Sequence, residues 1–344
     1  MVINHNGTVA KLRAMHGYGL KSEHYNDLAA QRRVSDIAEY LRNTRSYEHT
    51  LEGINTNTVH RGMLENLLRR SVYETYFKIV GFEHLQKNDF FNFKILQAEL
   101  REILSAISHI NAHSDQHIEK LPVYLDKYVS FNLLELAKAR SREDLLEVLK
   151  GTPYRAIIED IPLRKSGKID FNPTERALRT HYYKDLLDSP LFKRNGSHSL
   201  KTLITTDIDL INVINAYRMI TYFGESADYI NNLMLPFRGK LTAVTDQDLR
   251  ASQNKTEFLD KFKNSYYGRV MENYGITITD SLELETQKLR YQYAKQALSS
   301  SVSPEQSVYA FIFLYEAEVS NVIKIIEGIR YGLPQSELTK QLVL

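Results

Sequence analysis

The chain has 344 residues, 43 % hydrophobic and 25 % charged, and its 44 basic and 42 acidic side chains leave a formal net charge of +2. That balance lacks the basic excess of a nucleic-acid-binding surface. The absence of cysteine excludes disulfides and thiolate chemistry, so a zinc site would have to use histidine and carboxylates. No run reaches the ~20 apolar residues that cross a bilayer, and the polar start at Met1 has no secretory core. A cytoplasmic address is the expectation.

In chain order the sequence reads as helix almost throughout. Gly17 and Gly19 interrupt the first helical stretch, where each glycine costs about 1 kcal/mol against alanine. From Thr58 to Val80, Leu64, Leu67, Leu68, Val72 and Tyr76 recur at helical spacing. Phe91 to Ile107 repeats the pattern with Phe93, Leu96, Leu100, Ile103, Leu104 and Ile107. Glycine and proline punctuate the middle of the chain, and Ser189 to Ser199 reads as a polar loop. Asp207 to Phe223 is a third helical stripe. Thr202 to Thr206 and Ile276 to Thr279 are short β-branched runs that predict isolated strands. Ser303-Pro304-Glu305-Gln306 is a complete helix start, and Gly332 with Pro334 ends that helix near Tyr331.

Two patterns recur with nearly the same period. Asp89-x-x-Asn92, Asp209-x-x-Asn212 and Glu318-x-x-Asn321 each place an acid and an asparagine on one helix face. Leu41, Leu149 and Phe262 each sit in a short element that runs into a tyrosine, Tyr47, Tyr154 and Tyr266. The spacing predicts three copies of one helical unit, at 1–112, 113–225 and 226–344. The acid and asparagine read as a repeated packing or capping bond.

Candidate chemistry is sparse. His109, His113 and His117 stand at i, i+4 and i+8 and are the sharpest metal hint, but their segment is polar all round and reads as solvated. Arg164-Lys165-Ser166-Gly167-Lys168 lacks the spacing of a phosphate loop and reads as a basic surface turn. The 22 tyrosines read as core and interface. No catalytic constellation is visible, so neither enzyme activity nor a cofactor is expected. A helical adaptor of the solenoid type is the alternative, but its period of ~30–47 residues is not found.

Three stretches carry a family resemblance: Tyr315 to Arg330 (YEAEVSNVIKIIEGIR), Asp207 to Arg218 (DIDLINVINAYR), and the opening Lys11 to Met15 with Tyr25 to Leu28 and Ile37 to Leu41. In order and end to end, the chain resembles the central-stalk component of rotary V-type and A-type ATPases, called the C subunit in prokaryotes and the d subunit in eukaryotes. The resemblance implies an all-α fold whose three units surround a pseudo-threefold axis as a funnel. Its mouth would receive the rotor shaft made by the D and F subunits, and its other face would sit on the proteolipid ring. Such a protein is non-catalytic, holds no cofactor, and is peripheral at the inner membrane face. It passes torque while H⁺ or Na⁺ crosses the membrane. Arg218 and Arg330, beyond Asn212 and Asn321, are the candidate shaft contacts.

Overall fold

A computed structural model describes residues 6–82, 85, 88–114, 121–193 and 197–344. The chain is all-α, with no strand among the described residues. It divides into two compact units. The first comprises Met1–Leu85, Thr202–Ile204 and Tyr266–Leu344; the second comprises Gln86–Lys201 and Thr205–Ser265.

The first unit opens with α1 (Asn6–Gly17), α2 (Ser22–Ala29), α3 (Val34–Arg42) and α4 (Arg61–Phe82). The second carries α5 (Phe93–Ala112), α6 (Leu133–Lys138), α7 (Arg142–Val148), α8 (Pro153–Glu159) and α9 (Phe171–Leu187). It continues with α10 (His198–Arg218), α11 (Ala227–Leu233), α12 (Ala243–Arg250) and α13 (Lys255–Lys263). The chain then returns to the first unit with α14 (Tyr266–Asn273), α15 (Leu282–Ser300), α16 (Pro304–Arg330) and α17 (Gln335–Lys340).

The first unit is built around α16, whose 27 residues run about 40 Å. It starts where the sequence predicts: Ser303 Oγ accepts the Gln306 N–H at 3.3 Å, and Pro304 occupies the first turn. Beyond Phe311 the helix is apolar on more than one face, with Val322, Ile325 and Ile326 fully buried. It can bury them because α1, α4 and α15 all lie against it. Arg13 of α1 donates to Leu298 O (3.0 Å) and Ser301 O (2.7 Å), satisfying carbonyls that the end of α15 leaves open. At Gly328 a Cβ would stand 1.9 Å from Leu338 Cδ2, so the glycine is what lets α17 fold back onto α16. In the second unit α5 packs on α9, and α6, α7 and α8 flank them.

Both predicted strands fail. Thr202 to Thr206 lies inside α10, where the run continues a helix with Ile204 and Ile208 fully buried. Ile276 to Thr279 forms no ladder. Glu285 takes the Thr279 N–H at 2.8 and 2.9 Å and its hydroxyl at 2.5 Å, so a side chain holds this loop in place of a partner strand.

Candidate functional site

The recurring acids have a structural meaning that their sequence pattern only half reveals. In α16, Glu318 Oε2 accepts the Leu20 N–H at 2.8 Å, just before α2 begins. In α10, Asp209 accepts Gly239 N–H and Leu241 N–H, each at 2.9 Å, just before α12. In α5, Glu99 accepts Ser130 N–H at 2.5 Å, just before α6. The acids Glu99, Asp209 and Glu318 are 110 and 109 residues apart, and the donors Ser130 and Leu241 lie 110 and 221 residues beyond Leu20. Each is one long helix latching the start of a run of short helices through a buried carboxylate, an arrangement that satisfies backbone donors otherwise lost at a helix entrance. Two glycines make the latch possible. A Cβ on Gly19 would meet Glu318 Oε2 at 2.6 Å, and one on Gly239 would meet Asp209 Oδ2 at 2.7 Å. The interruption of the first helical stretch by glycine is therefore a contact requirement.

The first signature copy is not where the acid-x-x-Asn pattern puts it. Asp89 and Asn92 are exposed in a short 3-10 turn, Asp89–Asn92, ahead of α5. The position that matches Asp209 and Glu318 is Glu99. It escapes the pattern because its i+3 residue is Glu102. A count of 110 residues back from Asp209 would have found it.

The two asparagines that do match act as backbone clamps. Asn212 Nδ2 donates to Leu235 O (3.1 Å), and its Oδ1 accepts Leu235 N–H (2.9 Å). Asn321 makes the same pair with Val343, at 2.7 and 2.9 Å. A carboxylate could not do this, since it has no donor for the carbonyl. In the second unit Asn111, one turn from the end of α5, clamps Ile169 in the same two-bond fashion at 2.9 and 3.0 Å.

The second recurring element also has a fixed role. Leu41, Leu149 and Phe262 are fully buried at the ends of α3, α7 and α13. Thr44 and Thr152 each turn a hydroxyl onto the carbonyl of that leucine, at 2.7 Å in both. Tyr47 and Tyr154 are buried, and the Tyr154 hydroxyl donates to Glu99 Oε2 at 2.5 Å. In the last copy the buried ring is Tyr267; Tyr266 is 38 % exposed.

Burial raises the Glu318 pKa above the usual carboxylate value, against the lowering effects of the Leu20 N–H, the Tyr47 hydroxyl and Lys21. Tyr47 lies near enough to draw that pKa down, yet Glu318 Oε1 meets no hydrogen-bond geometry among the described residues. Both oxygens of Asp209 and of Glu99 are bonded. Burial likewise pushes the Tyr315 hydroxyl up to about 12.

The three long helices end alike. His113, Gly224 and Gly332 adopt left-handed φ of 50°, 61° and 68°, at 14, 15 and 14 residues beyond the acids. The extra residue in the middle helix is taken up by a π-helical turn, Met219–Phe223, after α10. The end of α5 also breaks the histidine row: the helix stops at Ala112, His113 turns left-handed, and His109 Nδ1 sits 3.0 Å from Ser114 Oγ. His117 lies outside the described residues. Among the described residues no group of three or more His, Asp or Glu side chains could hold a metal. Arg164 to Lys168 is a surface turn closed by Gly167 N–H to Arg164 O (2.8 Å), with Arg164 paired to Asp170 at 2.7 Å.

Arg218 is exposed at the end of α10, and Arg330 is exposed at the end of α16 beside the Tyr331 ring, 5.5 Å away. They are not equivalent positions, standing nine and twelve residues past their acids. Arg218 lines a groove of ≈ 400 Å³ in the second unit with Glu175, Arg176, Arg179, Tyr222 and Phe223.

The profile of the ATP synthase (C/AC39) subunit family matches residues 8–341, nearly the whole chain. The chain belongs to the ATP synthase (C/AC39) subunit family. Among its relatives, the A-type ATP synthase C subunit of Thermococcus kodakarensis is 27 % identical over 244 residues, 70 % of this chain and 59 % of that protein. The C subunit of the Methanosarcina mazei A-type ATP synthase is 23 % identical over 99 % of this chain and 93 % of its own length. That of Archaeoglobus fulgidus is 22 % identical over 98 % and 95 %. The chain thus spans about 59 % of the Thermococcus relative, and nearly all of the other two. Among the described residues, no helix of this family member is long and apolar enough to cross a membrane.

Proposed function

We propose that this chain is the non-catalytic central-stalk subunit of a rotary A-type or V-type ATPase, a socket that couples a D/F shaft to the membrane rotor ring. The observation that carries the proposal is the family match over residues 8–341. The recurrence of one latch at Glu99, Asp209 and Glu318 supports the three-unit division at 1–112, 113–225 and 226–344, arranged as a funnel. In this role the chain sits peripherally at the inner membrane face and carries torque during H⁺ or Na⁺ transport or ATP synthesis. A torque element must keep its shape under shear, and buried carboxylates bonded to backbone donors resist sliding more directionally than apolar packing does. Arg218 and Arg330, both exposed at helix ends, are the proposed shaft contacts.

The test is reconstitution. Purified chain should bind a purified D/F pair and restore ATP-driven ion uptake to vesicles stripped of this protein. Replacing Arg218 and Arg330 together by Glu should weaken shaft binding by on the order of tenfold, the scale of one lost charge pair at an interface. Wild-type chain that binds neither shaft nor ring removes the role; unchanged affinity in the double variant removes the two arginines.

A further inference from the structure

The middle long helix departs from its two counterparts at one place. Its left-handed cap comes one residue late, and the π turn Met219–Phe223 absorbs the difference. Single π turns inside α-helices are rare and cluster at functional sites. Here the turn leaves Tyr222 and Phe223 68 % and 65 % exposed, side by side at a helix end. Tyr222 is held from below, its ring edge-on to the buried Tyr217 at 6.4 Å.

These two rings form one wall of the second unit's groove, and the rest of its charge is mostly of one sign. Arg176, Arg179 and Arg218 line it against a single acid, Glu175. Arg179 spends its charge on Glu175, at 2.7 Å. Arg176 is oriented by its Nε, which donates to Met234 O at 3.1 Å. The balance left on the groove is cationic and of the planar, bidentate kind that suits carboxylates.

We propose that this groove docks a segment of a partner protein that carries carboxylates beside an apolar residue. A free anion would meet the arginines but leave both rings in water. A purely apolar segment would cover the rings, each worth 150–250 Å² of buried surface, but would bring no negative charge to the cationic wall. Tyrosine and arginine side by side are also the residue types that dominate interface energetics. The inference rests on the reading of this chain as a subunit of an assembly, and names the chemistry that one of its surfaces takes.

The experiment places p-benzoylphenylalanine at Tyr222 in the full chain, assembles it into the membrane complex, irradiates, and sequences the attached peptide. Leu163, exposed on the same unit, carries the photoprobe in a control. The expected product joins position 222 to one partner segment with at least two Asp or Glu next to an apolar side chain. Arg218→Glu should weaken that partner's binding by on the order of tenfold and flatten its salt dependence. Assembly without cross-linking above the Leu163 control, cross-linking to a basic segment, or unchanged affinity in Arg218→Glu would overturn the inference while the assembly role stands. Wild-type chain that does not co-purify with the complex would overturn the role itself, and the inference with it.

Discussion

Glu318 concentrates several constraints in one side chain. It is buried, one oxygen is spent on Leu20 N–H, and Gly19 is there because a Cβ would strike it. Its folded-state pKa lies above the ordinary 4.5 because burial penalises the charged form. For an acid raised on folding, the stability contribution is complete below the unfolded-state pKa and is lost as pH rises through the folded-state value. Wild-type stability should therefore carry a falling step that starts near the unfolded carboxylate range and ends above the raised pKa. Glu318→Gln keeps an acceptor for Leu20 N–H and a donor toward Tyr47, and should lose that step. Urea denaturation of both proteins at a series of pH values reads the difference. Parallel curves for the two would mean that Glu318 titrates as though exposed.

At the scale of elements, the asparagine clamps decide where the last helices go. Asn321 holds both the N–H and the C=O of Val343, pinning the chain's last residues beside α16. Asn321→Ala would leave two buried polar groups without partners, at a cost of about 2–4 kcal/mol. The expected result is a lower denaturation midpoint with faster hydrogen exchange at Val343. Asn321→Asp should fail to rescue, since it restores only an acceptor. The same logic explains why the acid-x-x-Asn pattern was readable for Asp209 and Glu318 and misleading at Asp89. The middle and last copies use the asparagine as a clamp. In the second unit's α5 that task falls to Asn111, and the latch acid Glu99 is followed by Glu102. A motif search for the pair could not separate two functions that one copy places on different residues.

At the scale of the molecule, the first unit is closed by the two ends of the chain. Leu20 binds Glu318, Arg13 binds the end of α15, and Gln335 Nε2 reaches Asn26 O at 2.9 Å. Removing residues 1–20 would strip α1 from α16 and leave that helix's apolar faces open. Hydrogen exchange should then accelerate across 266–344 while 121–193, whose bonds lie within the second unit, keep their protection. Equal loss in both stretches would mean that the two units fold as one cooperative block.

Sequence alone determined the all-α class, the long helices and the start of α16, because apolar spacing and capping residues act within a few turns of the chain. It also determined that something recurs about every 110 residues. What it could not decide was which residues make the recurring contact. Glu99 meets Ser130, Glu318 meets Leu20 and Asn321 meets Val343 only once distant segments are folded together. The helical fate of Thr202 to Thr206 was likewise set by burial within α10 and not by its β-branched residues. Local propensities are worth tenths of a kcal/mol per residue, whereas a buried carboxylate or amide that finds its backbone partner is worth several times more. The tertiary structure therefore chose the latch residues, and local signals chose only the helices that carry them.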